Sequence, residues 1–215
     1  MNTLEIIQIS LIIPIMMVSV LYPKRLNTKI SIVIISPVVL WALYMLLEHK
    51  AVDLLFIPQG LVIGFLLFIV SIWITEESNL FASIKEYLTN IRACLRISYQ
   101  NFQEWDSIVY ISFMVIYEEL IWRVFLIETL SHYLYTVPVI LIASILFSYS
   151  HANQRNFSRQ SADLFLFSII ITIIYYFSRS FALVVFIHWI RNILIIANSI
   201  GSNEIENLAK TIPNE

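Results

Sequence analysis

Long apolar runs separated by short polar stretches set the pattern of this chain. Seven runs are interpreted as membrane-spanning helices, since about 20 apolar residues cross the hydrocarbon core of a bilayer, although the sixth run is short. Their predicted bounds are 6–22, 30–47, 54–75, 107–130, 134–150, 163–178 and 181–200. The pattern predicts an all-α, polytopic membrane helical bundle in which the first three spans are lipid-facing structure without chemistry.

One segment between the third and fourth runs follows a different pattern. Residues 76–106 carry eight charged side chains, and their apolar residues recur at helical spacing. These apolar residues are Leu80, Ile84, Leu88, Ile91, Leu95 and Phe102. The spacing predicts an amphipathic helix, either interfacial at the membrane surface or packed on the membrane helices.

The distribution of charged residues divides the chain into three parts. Residues 1–106 hold three spans and the amphipathic helix, residues 107–200 hold a core of four spans, and residues 201–215 form a polar tail. The tail is predicted to be frayed. Chemistry is expected in the core, because ionisable residues inside its spans are costly in lipid.

Composition supports the membrane assignment and excludes other classes of protein. Of the 215 residues, 59% are hydrophobic and 13% are charged, whereas soluble domains carry about 25% charged residues. A net charge of -2 without a basic stripe gives no indication of nucleic-acid binding. The single cysteine, Cys94, excludes an intrachain disulfide and a multi-cysteine metal site. The N-terminus lacks a basic n-region and a small-residue cleavage site, so the first run is expected to be a retained helix.

The fourth span contains the most unusual stretch, in which Glu118 and Glu119 are followed by Arg123. An ionised side chain at the centre of a membrane helix costs about 2.5–3.5 kcal/mol on insertion scales. These three side chains are therefore expected to face protein or a water-filled cavity. Glu119 and Arg123 are four residues apart and are predicted to pair. Glu118 points about 100° away and is left available for chemistry.

Two later spans add residues of the same kind. His151 ends the fifth span, where Phe147 lies one turn earlier and could pack beneath the imidazole. His188 and Asn192 share one face of the seventh span. Glu128 is expected to be simply solvated near the outer end of the fourth span, and Arg191 to pair or to reach the membrane surface. His132 lies in a turn and is given no role.

The positions of lysine and arginine predict the orientation. Nine lie in the loops after the first, third and fifth spans and in the tail, against Lys50 and Arg179 on the opposite side. This bias predicts an outside N-terminus and a cytoplasmic tail. Glu118 and His188 would then lie at similar depths, about 16–18 Å below the cytoplasmic surface at 1.5 Å per residue. With His151 near the cytoplasmic end of its span, the three side chains are expected to converge in a cavity that opens to the cytoplasm.

The chemistry of this set leaves two mechanisms open. A carboxylate and a histidine can bind and deprotonate a water molecule, while His188 and Asn192 can stabilise an oxyanion. Alternatively, Glu118, His151 and His188 form a His₂Glu set that zinc accepts. The metal-free mechanism is favoured because the zinc motif His-Glu-x-x-His is absent. Ser148 and Ser150 are expected to have the wrong geometry for a nucleophile paired with His151.

Three motifs in order carry a resemblance to a known family. They are Glu118-Glu119-x-x-x-Arg123, Phe147-x-x-x-His151 and His188-x-x-x-Asn192. This signature resembles that of the CPBP (Abi) intramembrane proteases, which include the type II CAAX prenyl endopeptidases. The resemblance covers residues 107–200. It implies that Glu118 and His151 activate water, that His188 and Asn192 form the oxyanion site, and that Glu119 and Arg123 support them.

The resulting functional prediction is an intramembrane endopeptidase that cleaves a peptide or membrane-associated protein near the cytoplasmic face. The charge bias suits a bacterial plasma membrane, where the resemblance allows leader-peptide or bacteriocin processing, self-immunity or regulated proteolysis. A CAAX-like substrate is the expectation for a eukaryotic source. Two alternatives remain open: a non-catalytic binding or immunity protein of the same fold, and a small transporter in which Glu118 and the histidines relay protons.

Overall fold

The computed structural model describes residues 3–21, 28–49, 54–75, 80–100, 103–151 and 158–211. These residues form helices without a strand, which confirms the predicted all-α fold. The helices are α1 (Thr3–Ser10), α2 (Ile12–Leu21), α3 (Thr28–His49), α4 (Ile57–Thr75), α5 (Leu80–Gln100), α6 (Gln103–Glu119), α7 (Leu126–Ser131), α8 (Thr136–His151), α9 (Arg159–Ser178) and α10 (Phe181–Thr211). A 3₁₀-helix (Leu54–Phe56) precedes α4, and a π-helix (Leu120–Phe125) joins α6 to α7.

Two prolines shape the N-terminal helices. Pro14 lies in the first turn of α2, where its missing N–H would have no intrahelical partner. Pro37 lies inside α3 and leaves the carbonyl of Val33 without its usual backbone donor. The hydroxyl of Ser36 donates to that carbonyl at 2.9 Å. Because the hydroxyl of Ser36 replaces the missing backbone donor, α3 stays continuous for 22 residues.

α10 is the central helix of the described structure, because α4, α5, α6 and α9 all pack against it. Its contact with α4 depends on two glycines one turn apart, Gly60 and Gly64. A Cβ added at Gly64 would lie 2.0 Å from Cγ2 of Ile190 and 2.6 Å from the carbonyl oxygen of Ile187. Small residues at this spacing let two membrane helices approach closely. The contact holds the middle of α10 in place beside His188.

In the part of the chain that the structure describes, four helices are long and apolar enough to cross a membrane, so the predicted count of seven is not confirmed. They are Lys29–Glu48, Ile57–Thr75, Arg159–Ser178 and Phe181–Asn203. Thr3–Val18 and Thr136–His151 are shorter apolar helices. The predicted fourth span corresponds to α6, the π-helix and α7, which carry the charged motif. These apolar helices identify an integral membrane protein.

The predicted amphipathic helix is α5, and it packs along α10 through a line of small and polar residues. Ser83, Asn90 and Cys94 are buried in this contact. The side-chain amide of Asn90 donates to Oδ1 of Asn198 at 2.9 Å. A Cβ added at Gly201 would lie 1.8 Å from the carbonyl oxygen of Asn90. Of the two arrangements predicted for α5, packing on the bundle is therefore present along this face.

Two sequence predictions for this region need correction. α10 continues to Thr211, past the predicted end at residue 200, because α5 packs against it at Gly201. The first eleven residues of the predicted frayed tail, 201–211, are thus helical. Leu88 and Leu95, from the predicted apolar stripe of α5, are exposed rather than packed on α10.

The basic loops at 22–27 and 152–157, used to predict orientation, lie outside the described residues.

Candidate active site

Three helices bring Glu118, His151 and His188 together, as the sequence predicted. Glu118 is the penultimate residue of α6, His151 ends α8, and His188 lies in the second turn of α10. Nε2 of His151 is 3.2 Å from Oε1 of Glu118, and Nε2 of His188 is 3.7 Å from Oε2 of the same carboxylate. The carboxylate of Glu118 therefore lies between two imidazole nitrogens. The sequence analysis left this side chain without a partner, whereas the structure places it in contact with two histidines.

The hydrogen bonds of His151 determine which of its nitrogens takes part in chemistry. Nδ1 is 2.8 Å from the backbone carbonyl oxygen of Phe147. A carbonyl oxygen only accepts, so Nδ1 carries a proton and donates it. Nε2 then faces Glu118, and a proton shared between Nε2 and Oε1 accounts for their 3.2 Å contact, because two unprotonated acceptors would repel each other.

Ser150 lies beside this histidine without forming the nucleophile–base pair that the sequence analysis excluded. Its hydroxyl oxygen lies 3.1 Å from Nδ1 of His151. The same hydroxyl donates to the carbonyl oxygen of Phe147 at 2.7 Å. Because Nδ1 is already protonated, it has no lone pair to accept a proton from Ser150. The pair is therefore not a nucleophile and its base.

His188 is held from its other side by the predicted ion pair. Nδ1 of His188 lies 2.7 Å from Oε1 of Glu119, and Nε of Arg123 lies 3.3 Å from Oε2 of Glu119. Glu119 and Arg123 are both fully buried. The carboxylate accepts from Nδ1–H, so Nε2 of His188 is the nitrogen that faces Glu118. The predicted pairing of Glu119 with Arg123 is confirmed.

Phe147 joins the two halves of the site. Its ring centroid is 4.2 Å from that of His151, with an angle of 31° between the planes, which confirms the predicted packing beneath the imidazole. The guanidinium carbon of Arg123 lies 4.4 Å from the same centroid. A cation this close to an aromatic ring is attracted by the ring quadrupole. Phe147 therefore helps to hold both Arg123 and His151.

A second buried ionic cluster lies behind His188, and the sequence analysis missed most of it. Arg191 pairs with Asp163, and its Nη2 donates to the hydroxyl of Ser71 at 3.2 Å. Its guanidinium carbon is 4.4 Å from the ring centroid of Phe167, which is itself 5.2 Å from that of His188. The predicted pairing of Arg191 is confirmed. The sequence did contain one signal that could have identified Asp163 as the partner of Arg191. A charged residue inside an apolar run needs an opposite charge nearby.

Two further predicted residues have different outcomes. Asn192 is half-buried one turn beyond His188, and its side chain makes no hydrogen bond with any residue in the described ranges. Its role in an oxyanion site remains a prediction. Glu128 was expected to be solvated, but its Oε1 lies 2.7 Å from Nη1 of Arg179 and accepts from the hydroxyl of Tyr175 at 3.1 Å. This ion pair ties α7 to the turn between α9 and α10.

A cavity of about 270 Å³ is lined in part by Glu118 and His151. Four helices and the π-helix contribute its walls, which are mainly apolar. The lining residues are Val18, Ser31, Ile32, Ile35, Met114, Tyr117, Glu118, Ile121, Trp122, Ser150 and His151. α2 and α3 supply four of these residues, so the expectation that the first three spans have no part in the chemistry needs revision. The cavity brings space for a substrate to the predicted water-activating pair.

The three predicted zinc ligands face one another. Nε2 of His151 is 3.2 Å from one oxygen of Glu118, and Nε2 of His188 is 3.7 Å from the other. Donors about 2.0–2.2 Å from one tetrahedral zinc ion are themselves roughly 3.3–3.6 Å apart. The zinc alternative therefore remains a prediction beside the metal-free mechanism.

The comparison with protein families agrees with the three motifs. Residues 100–194 match the family model described as Rce1-like: type II CAAX prenyl endopeptidase Rce1-like. We refer to residues 100–194, which are similar to this family, as the Rce1-like region. The predicted resemblance to the CPBP intramembrane proteases is confirmed over these residues. No curated protein and no solved structure matches the chain at a significant level.

The Rce1-like region coincides with the part of the chain that holds the site. It begins before α6 and ends after Asn192, so it contains all three motifs. Its description implies a protease. α2, α3 and α4 lie before it, and these helices supply part of the cavity wall and the glycine contact with α10. The family match therefore covers the ionisable residues of the three motifs, whereas the cavity wall formed by α2 and α3 lies outside the matched residues.

Proposed function

We propose that the chain is an intramembrane endopeptidase that hydrolyses a peptide bond with a water molecule activated by Glu118 and His151. One observation carries this proposal. The carboxylate of Glu118 lies between Nε2 of His151 and Nε2 of His188, in the lining of a cavity among membrane helices in an Rce1-like region. A carboxylate and an imidazole in contact are a suitable pair for general acid–base catalysis.

The first step is activation of water. A water molecule in the cavity donates a hydrogen bond to Glu118, which takes its proton as the oxygen attacks the carbonyl carbon of the substrate. His151 orients the carboxylate through Nε2, while its Nδ1–H stays bound to the carbonyl oxygen of Phe147. The fixed backbone acceptor keeps the imidazole in one tautomer during this transfer.

The second step needs a donor for the oxyanion that forms on the substrate. In the doubly protonated state, His188 donates from Nδ1 to Glu119 and presents Nε2–H beside Glu118. The carboxylate of Glu119 lies opposite this imidazolium, and Arg123 pairs with its other oxygen. Asn192, one turn further along α10, supplies the second donor. Preorganised donors of this kind are worth about 10²–10³-fold each in rate.

Collapse of the tetrahedral intermediate completes the reaction. The C–N bond breaks, and the proton taken from water is passed by the Glu118–His151 pair to the leaving nitrogen. The products are a carboxylic acid, which releases its proton to water or to the amine, and an amine; no bond to the protein forms. Ser150 does not act as a nucleophile, because its neighbour Nδ1 of His151 already carries a proton.

The site is proposed to act on a peptide or membrane-associated protein near the cytoplasmic face of a bacterial plasma membrane. The lysine and arginine bias supports this orientation, with nine such residues on the predicted cytoplasmic side against two outside. Processing of a leader peptide, self-immunity and regulated proteolysis are the roles that the family resemblance offers in this setting. In a eukaryotic membrane, the same family resemblance includes prenylated CAAX proteins among the substrates.

Cleavage of host membrane proteins provides a direct test. Membranes with and without the chain, incubated in heavy-oxygen water, are expected to differ in their peptide termini as measured by mass spectrometry. Each chain-dependent carboxyl terminus should carry one heavy oxygen atom, because water attacks the peptide carbonyl directly. Identical termini in both samples would contradict an endopeptidase, and pH-dependent solute movement would then support the transporter alternative.

Removal of metal is expected to leave this cleavage intact. The proposed mechanism uses only the side chains of Glu118, His151, His188 and Asn192, so none of its steps needs a bound metal ion. The measurement is the yield of chain-dependent termini before and after dialysis of the solubilised protein against EDTA. Loss of cleavage after dialysis, followed by recovery on adding zinc, would refute the metal-free mechanism.

A further inference from the structure

The cavity at Glu118 is small and has apolar walls on two sides. Its volume of about 270 Å³ lies below the range of about 300–1,000 Å³ found for small-molecule pockets. The cavity therefore has room for one or two side chains of an extended peptide and is too small for a folded segment of the substrate. Ile35 on α3 lines one wall, and Met114, Ile121 and Trp122 on α6 and the π-helix line the other.

The charged groups in the cavity restrict which side chain it accepts. Glu118 and His151 are its charged lining residues among those described, and both belong to the proposed catalytic pair. An acidic side chain would be repelled by Glu118, and a basic one would pair with Glu118 and block proton transfer. A polar side chain would lose its hydrogen bonds to water against apolar walls. An apolar side chain gains about 0.8 kcal/mol for each buried CH₂ group.

We propose that α2 and α3 form a specificity wall, in which Ile35 sets the size of the large apolar side chain accepted beside the scissile bond. This inference rests on the proposed endopeptidase function. The wall consists of Val18, Ser31, Ile32 and Ile35, all of which lie before the Rce1-like region. Ile35 is 5% exposed, so its side chain is fixed by its neighbours. The substrate class is therefore a membrane peptide with a leucine-sized to phenylalanine-sized residue next to the cleaved bond.

The test uses the residue preference at chain-dependent cleavage sites in the membrane proteins of the expression host. Ile35→Trp fills the cavity, so cleavage beside large apolar residues should fall by about 10–200-fold relative to cleavage beside alanine or serine. Ile35→Ala enlarges the cavity, and the preference should move towards phenylalanine and tryptophan. Val33→Trp is the matched control, because Val33 lies on the same helix and is 71% exposed. Its preference should equal that of the wild type.

The outcomes separate the two proposals. Chain-dependent cleavage with the same residue preference in Ile35→Ala, Ile35→Trp and the wild type would overturn the specificity wall and leave the endopeptidase function standing. Absence of chain-dependent cleavage by the wild type would refute the endopeptidase function and the specificity wall together. If Ile35→Trp fails to accumulate in the membrane, Ile35→Ala decides the question, and an unchanged preference in that variant overturns the specificity wall.

Discussion

Replacement of Glu118 by glutamine is expected to lower the rate of peptide cleavage by about 10²–10⁴-fold, the usual contribution of a general base. Glutamine keeps the size of the side chain and one hydrogen bond to His151. It cannot take the proton of the attacking water, because the amide is not basic. The measurement is the rate at which chain-dependent peptide termini appear, with equal amounts of each variant in the membrane.

Glu128→Gln is the matched control for this experiment. Glu128 lies in α7, beyond the π-helix, and its carboxylate is also bound to other side chains. The substitution removes the same charge from the same predicted span without touching the cavity, so its cleavage rate should stay near that of the wild type. Equal rates for Glu118→Gln and Glu128→Gln would contradict the role of Glu118 as the base.

Replacement of Arg123 by glutamine is expected to destabilise the fold by about 3–5 kcal/mol. Arg123 is fully buried, and its substitution leaves the buried carboxylate of Glu119 without its cation. It also removes the guanidinium from the ring of Phe147, which supports His151. For a chain of this size the melting temperature should fall by about 6–20 °C. Thermal unfolding of the protein in detergent measures the effect.

Arg179→Gln gives the comparison for an ion pair near the surface. Arg179 also pairs with a glutamate, Glu128, but its side chain is 40% exposed. Exposed pairs contribute about 0–1 kcal/mol, so this variant should unfold close to the wild-type temperature. A shift as large as that of Arg123→Gln would show that burial does not set the cost of losing the charge.

The parts of the site that could be predicted are those governed by local spacing. Glu119 with Arg123 and Phe147 with His151 are four residues apart, and helical geometry alone brings such pairs together. The convergence of Glu118 with His188 followed from their similar depths in two apolar runs. The expectation that Ser150 and His151 form no nucleophile–base pair agrees with the hydrogen bonds, because the hydroxyl donates to the carbonyl of Phe147 and Nδ1 of His151 already carries a proton.

Other features depend on which helices become neighbours. The pairing of Arg191 with Asp163 and Ser71 joins three helices, and residue spacing contains no information about that arrangement. The wall formed by α2 and α3 was missed because their apolar side chains look the same whether they face lipid or a cavity. The extension of α10 to Thr211 depends on packing by α5 at Gly201.

The amino-acid sequence by itself determined the helical, membrane-embedded nature of this protein and its set of ionisable residues, because apolar length and residue spacing are local properties. The tertiary structure decided which nitrogen of each histidine faces Glu118 and which helices wall the cavity beside it. These features arise from contacts between residues far apart in the chain, where packing and the pairing of buried charges select one arrangement among many.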